Sequence, residues 1–106
     1  MPPLPYSLSP RAEEQFANIL YNIAEHSGWE RSMRVEEKLY TAFRGLAANP
    51  GLGHLRTDLV PRRIYFYYVE PYHVLYLRDT LPLYIVAIYH GARDIATLMS
   101  YDPEQS

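Results

Sequence analysis

The sequence has no cysteine. That excludes a disulfide frame, a thiolate metal site and a thiol nucleophile, and it fits a reducing compartment. An excess of positive charge is missing too: ten Lys and Arg stand against twelve Asp and Glu, a formal net charge of −2 with four neutral histidines. Proteins that draw affinity from many phosphate contacts carry a basic surplus, so direct nucleic-acid binding is not expected, although a local basic patch stays open. Long hydrophobic runs are absent as well. Residues 81–89 form the longest and contain Pro82, far short of a bilayer span. The opening Met1-Pro2-Pro3-Leu4-Pro5 has neither the basic segment nor the apolar run of a signal peptide. A soluble cytoplasmic protein is expected.

What is present suits one folded domain. A chain of 106 residues, 48% of them hydrophobic, supports a single core, so residues 1–106 are expected to form one domain with its core at about 6–99. Eleven tyrosines suit half-buried strands or a partner surface, because the ring is apolar and its tip hydrogen-bonds. Tyr6-Ser7-Leu8 reads as a short strand. Ser9-Pro10 is an N-cap followed by proline at the first helical position. Ala12, Phe16, Ile19, Leu20 and Ile23 recur at helical spacing, and Gly28 suits the helix end. A second helix over residues 30–48 buries Val35, Leu39, Ala42, Phe43 and Leu46, offers a Glu30–Arg34 pair and stops at Asn49-Pro50-Gly51. Trp29 is expected to pack between the helices.

Residues 63–69, 73–78 and 83–90 are rich in Tyr, Ile and Val and are separated by short breaks. They predict antiparallel strands joined by tight turns. The last is apolar on both alternating faces and so belongs in the middle of the sheet. Asp94 is placed to cap a short C-terminal helix ending near Met99. The fold class is α+β: an N-terminal helical hairpin on an antiparallel sheet, in the order β-α-α-β-β-β and then a short helix.

This order and four local strings resemble the ParE/RelE toxin superfamily. The strings are Tyr6-Ser7-Leu8-Ser9-Pro10-Arg11-Ala12, residues 49–59, Tyr72-His73-Val74-Leu75-Tyr76 and residues 88–95. Together they span roughly residues 6–99. The resemblance implies a bacterial toxin blocked by a cognate antitoxin, ParD-like or a similar small protein, in a hetero-oligomer. It also implies one of two actions. ParE-like members inhibit DNA gyrase and carry no recognised nuclease site, whereas RelE-like members cut messenger RNA on the ribosome.

Cutting RNA requires a base for the 2′-hydroxyl, cations for the phosphate and an acid for the leaving oxygen. The nuclease branch places an arginine two apolar residues before the tyrosine of the third strand; reading back from Tyr76, that slot holds His73. Histidine is a conditional cation where arginine is a permanent one. Arg93 matches the branch's arginine after the last strand, but the following tyrosine position falls near Met99, with Tyr101 out of register. The candidate catalytic set, if the chain is a nuclease, is His73, His90 and Arg93. Arg56, Arg78, His90 and Arg93 are candidates for target contact. For His90 and Arg56 a structural role comes first: a turn-fixing hydrogen bond for His90, pairing with Asp58 for Arg56. Arg78 is more simply a solvated strand end, or a partner of Arg93 in a cationic patch.

Tyr65, Tyr67, Tyr72 and Tyr84 are antitoxin-binding candidates; stacking on bases is the other reading for such residues. The four histidines show no metal-ligand spacing, and Gly51-Leu52-Gly53 lacks the lysine and helix of a phosphate loop. No metal or cofactor is expected. A ParE-type gyrase inhibitor that binds its target leads. A ribosome-dependent endoribonuclease and a non-toxic member acting only within an antitoxin repressor complex are the alternatives.

Overall fold

The computed structural model describes residues 4–56 and 63–91. Along the chain lie β1 (Tyr6–Leu8), α1 (Pro10–Ser27), α2 (Trp29–Ala48), a short 3-10 turn (Pro50–Leu52), β2 (His54–Leu55), β3 (Tyr65–Val69), β4 (Tyr72–Leu77) and β5 (Leu83–His90). The sheet runs β1-β5-β4-β3-β2, with both helices on one face. The α+β architecture matches expectation in its helical hairpin, its three long strands and the place of β5 inside the sheet rather than at its edge.

Two features go beyond the antiparallel sheet expected. β1 pairs with β5 in parallel, Tyr6 opposite Leu83 and Leu8 opposite Ile85, so the sheet is mixed. The helical hairpin returns the chain to the start of α1, and every later strand must then be laid down before β5 reaches β1. The second feature is β2, two residues paired with Phe66 and Tyr65 of β3, where a loop was expected. The expected short C-terminal helix, with Arg93, Asp94, Met99 and Tyr101, lies outside the described residues.

β1 is too short to cover β5, and the first turns of α1 complete the edge. Ser9 caps α1, its Oγ accepting from the Ala12 N–H at 3.0 Å, while the same hydroxyl donates to the Val86 carbonyl at 2.7 Å. Ser9 N–H donates to the Ile85 carbonyl at 2.9 Å, and the Ile88 N–H donates to Gln15 Oε1 at 2.7 Å. Helix and strand thus share one ladder, and Ser9 is fully buried within it.

The core lies between sheet and helices. Ala12, Phe16 and Ile19 of α1 and Leu39, Phe43 and Leu46 of α2 meet Tyr6, Tyr72, Val74, Tyr76, Leu83, Ile85 and Ile88. Phe43 holds the centre, its ring 5.4 Å from Tyr6 and 5.6 Å from Phe16. The opposite face is also apolar and buried, through Ile64, Phe66, Leu75, Val86, Ala87 and Tyr89. Consecutive Val86 and Ala87 share that face because the β4–β5 register shifts there: Leu75 pairs with Ala87 but Tyr76 with Ile85. One extra residue on β5 is a bulge, which restarts the alternation.

Trp29 does not pack between the helices as expected; it is 66% exposed. Gly28 is the sole link between α1 and α2 and takes a positive φ of 89°, a conformation open to glycine, and the tight turn leaves Trp29 on the outer flank. The tie between the helices is polar instead, Ser32 Oγ donating to the Leu20 carbonyl at 2.7 Å. No ion pair forms between Glu30 and Arg34; Arg44 pairs with Glu37 at 3.2 Å.

Ser9→Ala removes a cap worth about 1 kcal/mol and leaves the buried Val86 carbonyl without its donor, a further loss of about 1–3 kcal/mol. Urea unfolding should show a destabilisation of about 2–4 kcal/mol with an unchanged m-value. A loss below about 0.5 kcal/mol would show that the bridge matters little.

Candidate functional site

Strand alternation sorts the candidate residues between two faces. Tyr72 belongs to the helix-side core and pairs with His90, the rings meeting edge-on at 5.7 Å. His73 is next along β4, pairs with Tyr89 and faces the other side. His73 and His90 therefore stand on opposite faces of the sheet. Acid and base must both reach one scissile bond, and this placement turns the two rings away from each other. Arg93, the third member of the nuclease set, lies outside the described residues.

His73 sits in an aromatic setting, 5.0 Å from the Tyr68 ring and 6.1 Å from that of Phe66. Its Nδ1 is buried and finds no hydrogen-bond partner among the described residues. Burial, and then the nearby Arg56 guanidinium, push its pKa below the ordinary imidazole value. At neutral pH it is an uncharged ring and cannot serve as a phosphate clamp. The permanent cation whose charge reaches it is Arg56, which follows β2 at the sheet's edge. Tyr68, 55% exposed, extends this patch. Sequence reading passed over Tyr68, although the tight turn at Glu70-Pro71 places it directly across from His73.

A second construction organises the loop between α2 and β2. Tyr76, next to the last residue of β4, is fully buried, yet its hydroxyl reaches out of the core. It donates to the Pro50 carbonyl at 2.6 Å and accepts from the Gly53 N–H at 2.9 Å. Burial raises its pKa despite the Gly53 bond, so the hydroxyl keeps the proton it donates. A Cβ on Gly53 would meet the Tyr76 hydroxyl and, at 2.8 Å, the Phe66 carbonyl, so this position admits only glycine without a shift of backbone. Arg78 closes the other side of the loop. It lies over the Tyr65 ring at 5.4 Å, donates to the Tyr65 hydroxyl at 3.4 Å and comes close to Gly51. That hydrogen bond to Tyr65 raises its pKa. The register sets Arg56, after Leu55, at the same end of the strands as Arg78 but on the opposite face of the sheet, while His90 sits at the far end.

The third feature is a groove of about 490 Å³ where β1 forms the edge of the sheet. It is lined by Leu4, Tyr6 and Leu8 on one wall and by Phe16, Ala17, Leu20 and Tyr40 on the other, with Glu13 at its rim. In the parallel β1–β5 ladder the Pro5 carbonyl and Ser9 N–H bond to β5, so the main-chain groups of Tyr6 and Leu8 point away from it. Of the partner-binding tyrosines named from sequence, Tyr65 and Tyr72 are each only 7% exposed and pack in the core. Tyr67 and Tyr84 are half-buried, on opposite faces. Among the described residues no three His, Asp or Glu side chains cluster to hold a metal, and no helix is long and apolar enough to cross a membrane.

His73 provides a pH test. A folded-state pKa below the unfolded value means that the unfolded chain binds more protons on acidification. Its contribution is present above the ordinary imidazole pKa and is lost as pH falls through the folded value. Between about pH 7.5 and 5.5, wild type should therefore lose more stability in urea unfolding than His73→Gln. Equal losses would refute the assignment.

Comparison with known proteins agrees with this architecture. No curated protein matches the sequence significantly. The family model for the ParE toxin of the type II toxin–antitoxin system, parDE, matches residues 6–95. That span takes in β1, both helices, the whole sheet and the loop held by Tyr76, so the chain belongs to the ParE family of type II toxins.

Proposed function

We propose that this chain acts as a toxin by binding DNA gyrase rather than by cutting RNA, and that a ParD-like antitoxin neutralises it in a hetero-oligomer. The carrying observation is the separation of His73 and His90, the two histidines of the expected nuclease set, onto opposite faces of the sheet. The suppressed charge of His73 and the net charge of −2 support the same reading. Arg56 and Arg78, at the same end of the strands, are the target contacts. Arg93 remains a further candidate for that surface, and His90, turned toward the helices, is not required.

The antitoxin covers the groove beside β1. An apolar cleft of this volume accommodates a few large side chains. The free edge of β1 offers main-chain hydrogen bonds to an incoming segment, and Glu13 selects a basic residue at its rim. Tyr6 and Tyr40 supply the aromatic contacts there, in place of the core-packed Tyr65 and Tyr72.

Purified chain should inhibit gyrase supercoiling or trap cleaved DNA. Arg56→Ala and Arg78→Ala should each weaken inhibition about tenfold, equivalent to about 1.4 kcal/mol, with His90→Ala close to wild type. Absence of inhibition, trapping and gyrase binding alike would overturn the target. Message cleavage on ribosomes that is lost in His90→Ala would restore the nuclease alternative.

Ala17→Arg places a long cation in the groove from an exposed helix position. It should weaken binding of the neighbouring-gene antitoxin at least about thirtyfold, a hot-spot effect of about 2 kcal/mol, while gyrase inhibition persists. Unchanged antitoxin affinity would move the interface elsewhere.

A further inference from the structure

We propose that Tyr76 is a positioning residue for target binding: its buried hydroxyl sets the loop that aims Arg56 and Arg78. The proposal rests on the gyrase reading above and assigns a role within that surface to a residue that cannot touch the target itself.

The geometry favours positioning over simple packing. The Tyr76 ring fills the core, and phenylalanine would fill the same space. The hydroxyl adds nothing to that packing; it is spent on Pro50 and Gly53, the two ends of the turn that follows α2. Because Gly53 immediately precedes β2, holding its N–H sets where β2 begins and so the pairing of His54 with Phe66 and Leu55 with Tyr65. A strand of two residues cannot hold its own register. Slipping by one position would turn every side chain to the opposite face and would turn Arg56, the next residue, with them. On the other side, Arg78 is steadied by Tyr65, whose ring packs 5.9 Å from that of Tyr76. The lock thus reaches both arginines, one on each face of the sheet.

The test compares two binding activities of the full chain. Tyr76→Phe keeps the ring and deletes the bridge. Gly53→Ala keeps the Tyr76 hydroxyl but sets a methyl against it and against the Phe66 carbonyl, so the same loop is displaced from the other partner of the bond. Both should weaken gyrase inhibition about tenfold, equivalent to about 1.4 kcal/mol, while affinity for the neighbouring-gene antitoxin stays within about twofold, because the β1 groove lies at the opposite edge of the sheet. A merely structural role would lower both activities together, in proportion to the unfolded fraction. Tyr76→Phe added to the pair Arg56→Ala and Arg78→Ala should make that double variant little worse, since Tyr76 acts through those two contacts. Full inhibition by Tyr76→Phe while Arg56→Ala fails would overturn the proposal, as would additive losses or parallel loss of antitoxin binding. A wild-type chain that does not affect gyrase overturns the reading beneath it instead.

Discussion

Ser9 joins three elements that would otherwise meet only through apolar contact. Its backbone ends the β1–β5 ladder, its side chain caps α1, and the same hydroxyl bonds to the Val86 carbonyl. The direction in which α1 leaves the sheet follows from this junction. Phe16 and Ile19 reach the core because α1 starts in this orientation, and Gln15 reaches Ile88 for the same reason. The groove beside β1 owes its shape to the same angle, since its two walls are the strand before Ser9 and the helix after it. A fully buried hydroxyl that satisfies a helix end and a strand carbonyl together is stabilising only when all its partners are in place, which makes this corner of the fold cooperative.

Much of the architecture was legible because local chemistry and hydrophobic period agreed. Ser9-Pro10, Gly28 and Asn49-Pro50-Gly51 bound the helices within a residue of their observed limits, and the alternation along β5 implied burial on both sides. The parallel pairing of β1 was not legible, since a three-residue strand carries no mark of its partner or direction. β2 was hidden for a related reason: two residues show no period. Trp29 misled because size and apolarity argue for burial, whereas the one-residue glycine link between the helices decides where it points.

The candidate surfaces were legible only in part. Arg56 and Arg78 could be named by type, but that they stand at the same end of the strands depends on β2 and on the reach of the Tyr76 hydroxyl, which is a contact over 23 and 26 residues of sequence. The separation of His73 from His90 was in principle accessible. A tight turn between β4 and β5 makes the register countable, and odd and even positions then divide between the faces, but the bulge at Val86 shifts that count midway along the strand. Aromatic content alone pointed to Tyr65 and Tyr72 as partner-binding, although their rings complete the core.

The bond between Ser9 and Val86 spans 77 residues. During synthesis the first strand and both helices emerge early, but the strand that must lie beside them is made much later. At about 5–20 residues per second, the intervening stretch takes on the order of ten seconds. Over that interval the helical hairpin lacks the strand that β1 and Ser9 bond to. Such a non-local closure also folds slowly once the chain is released. The late closure of β5 against β1 thus completes the edge at β1 and the order of the whole sheet in one step.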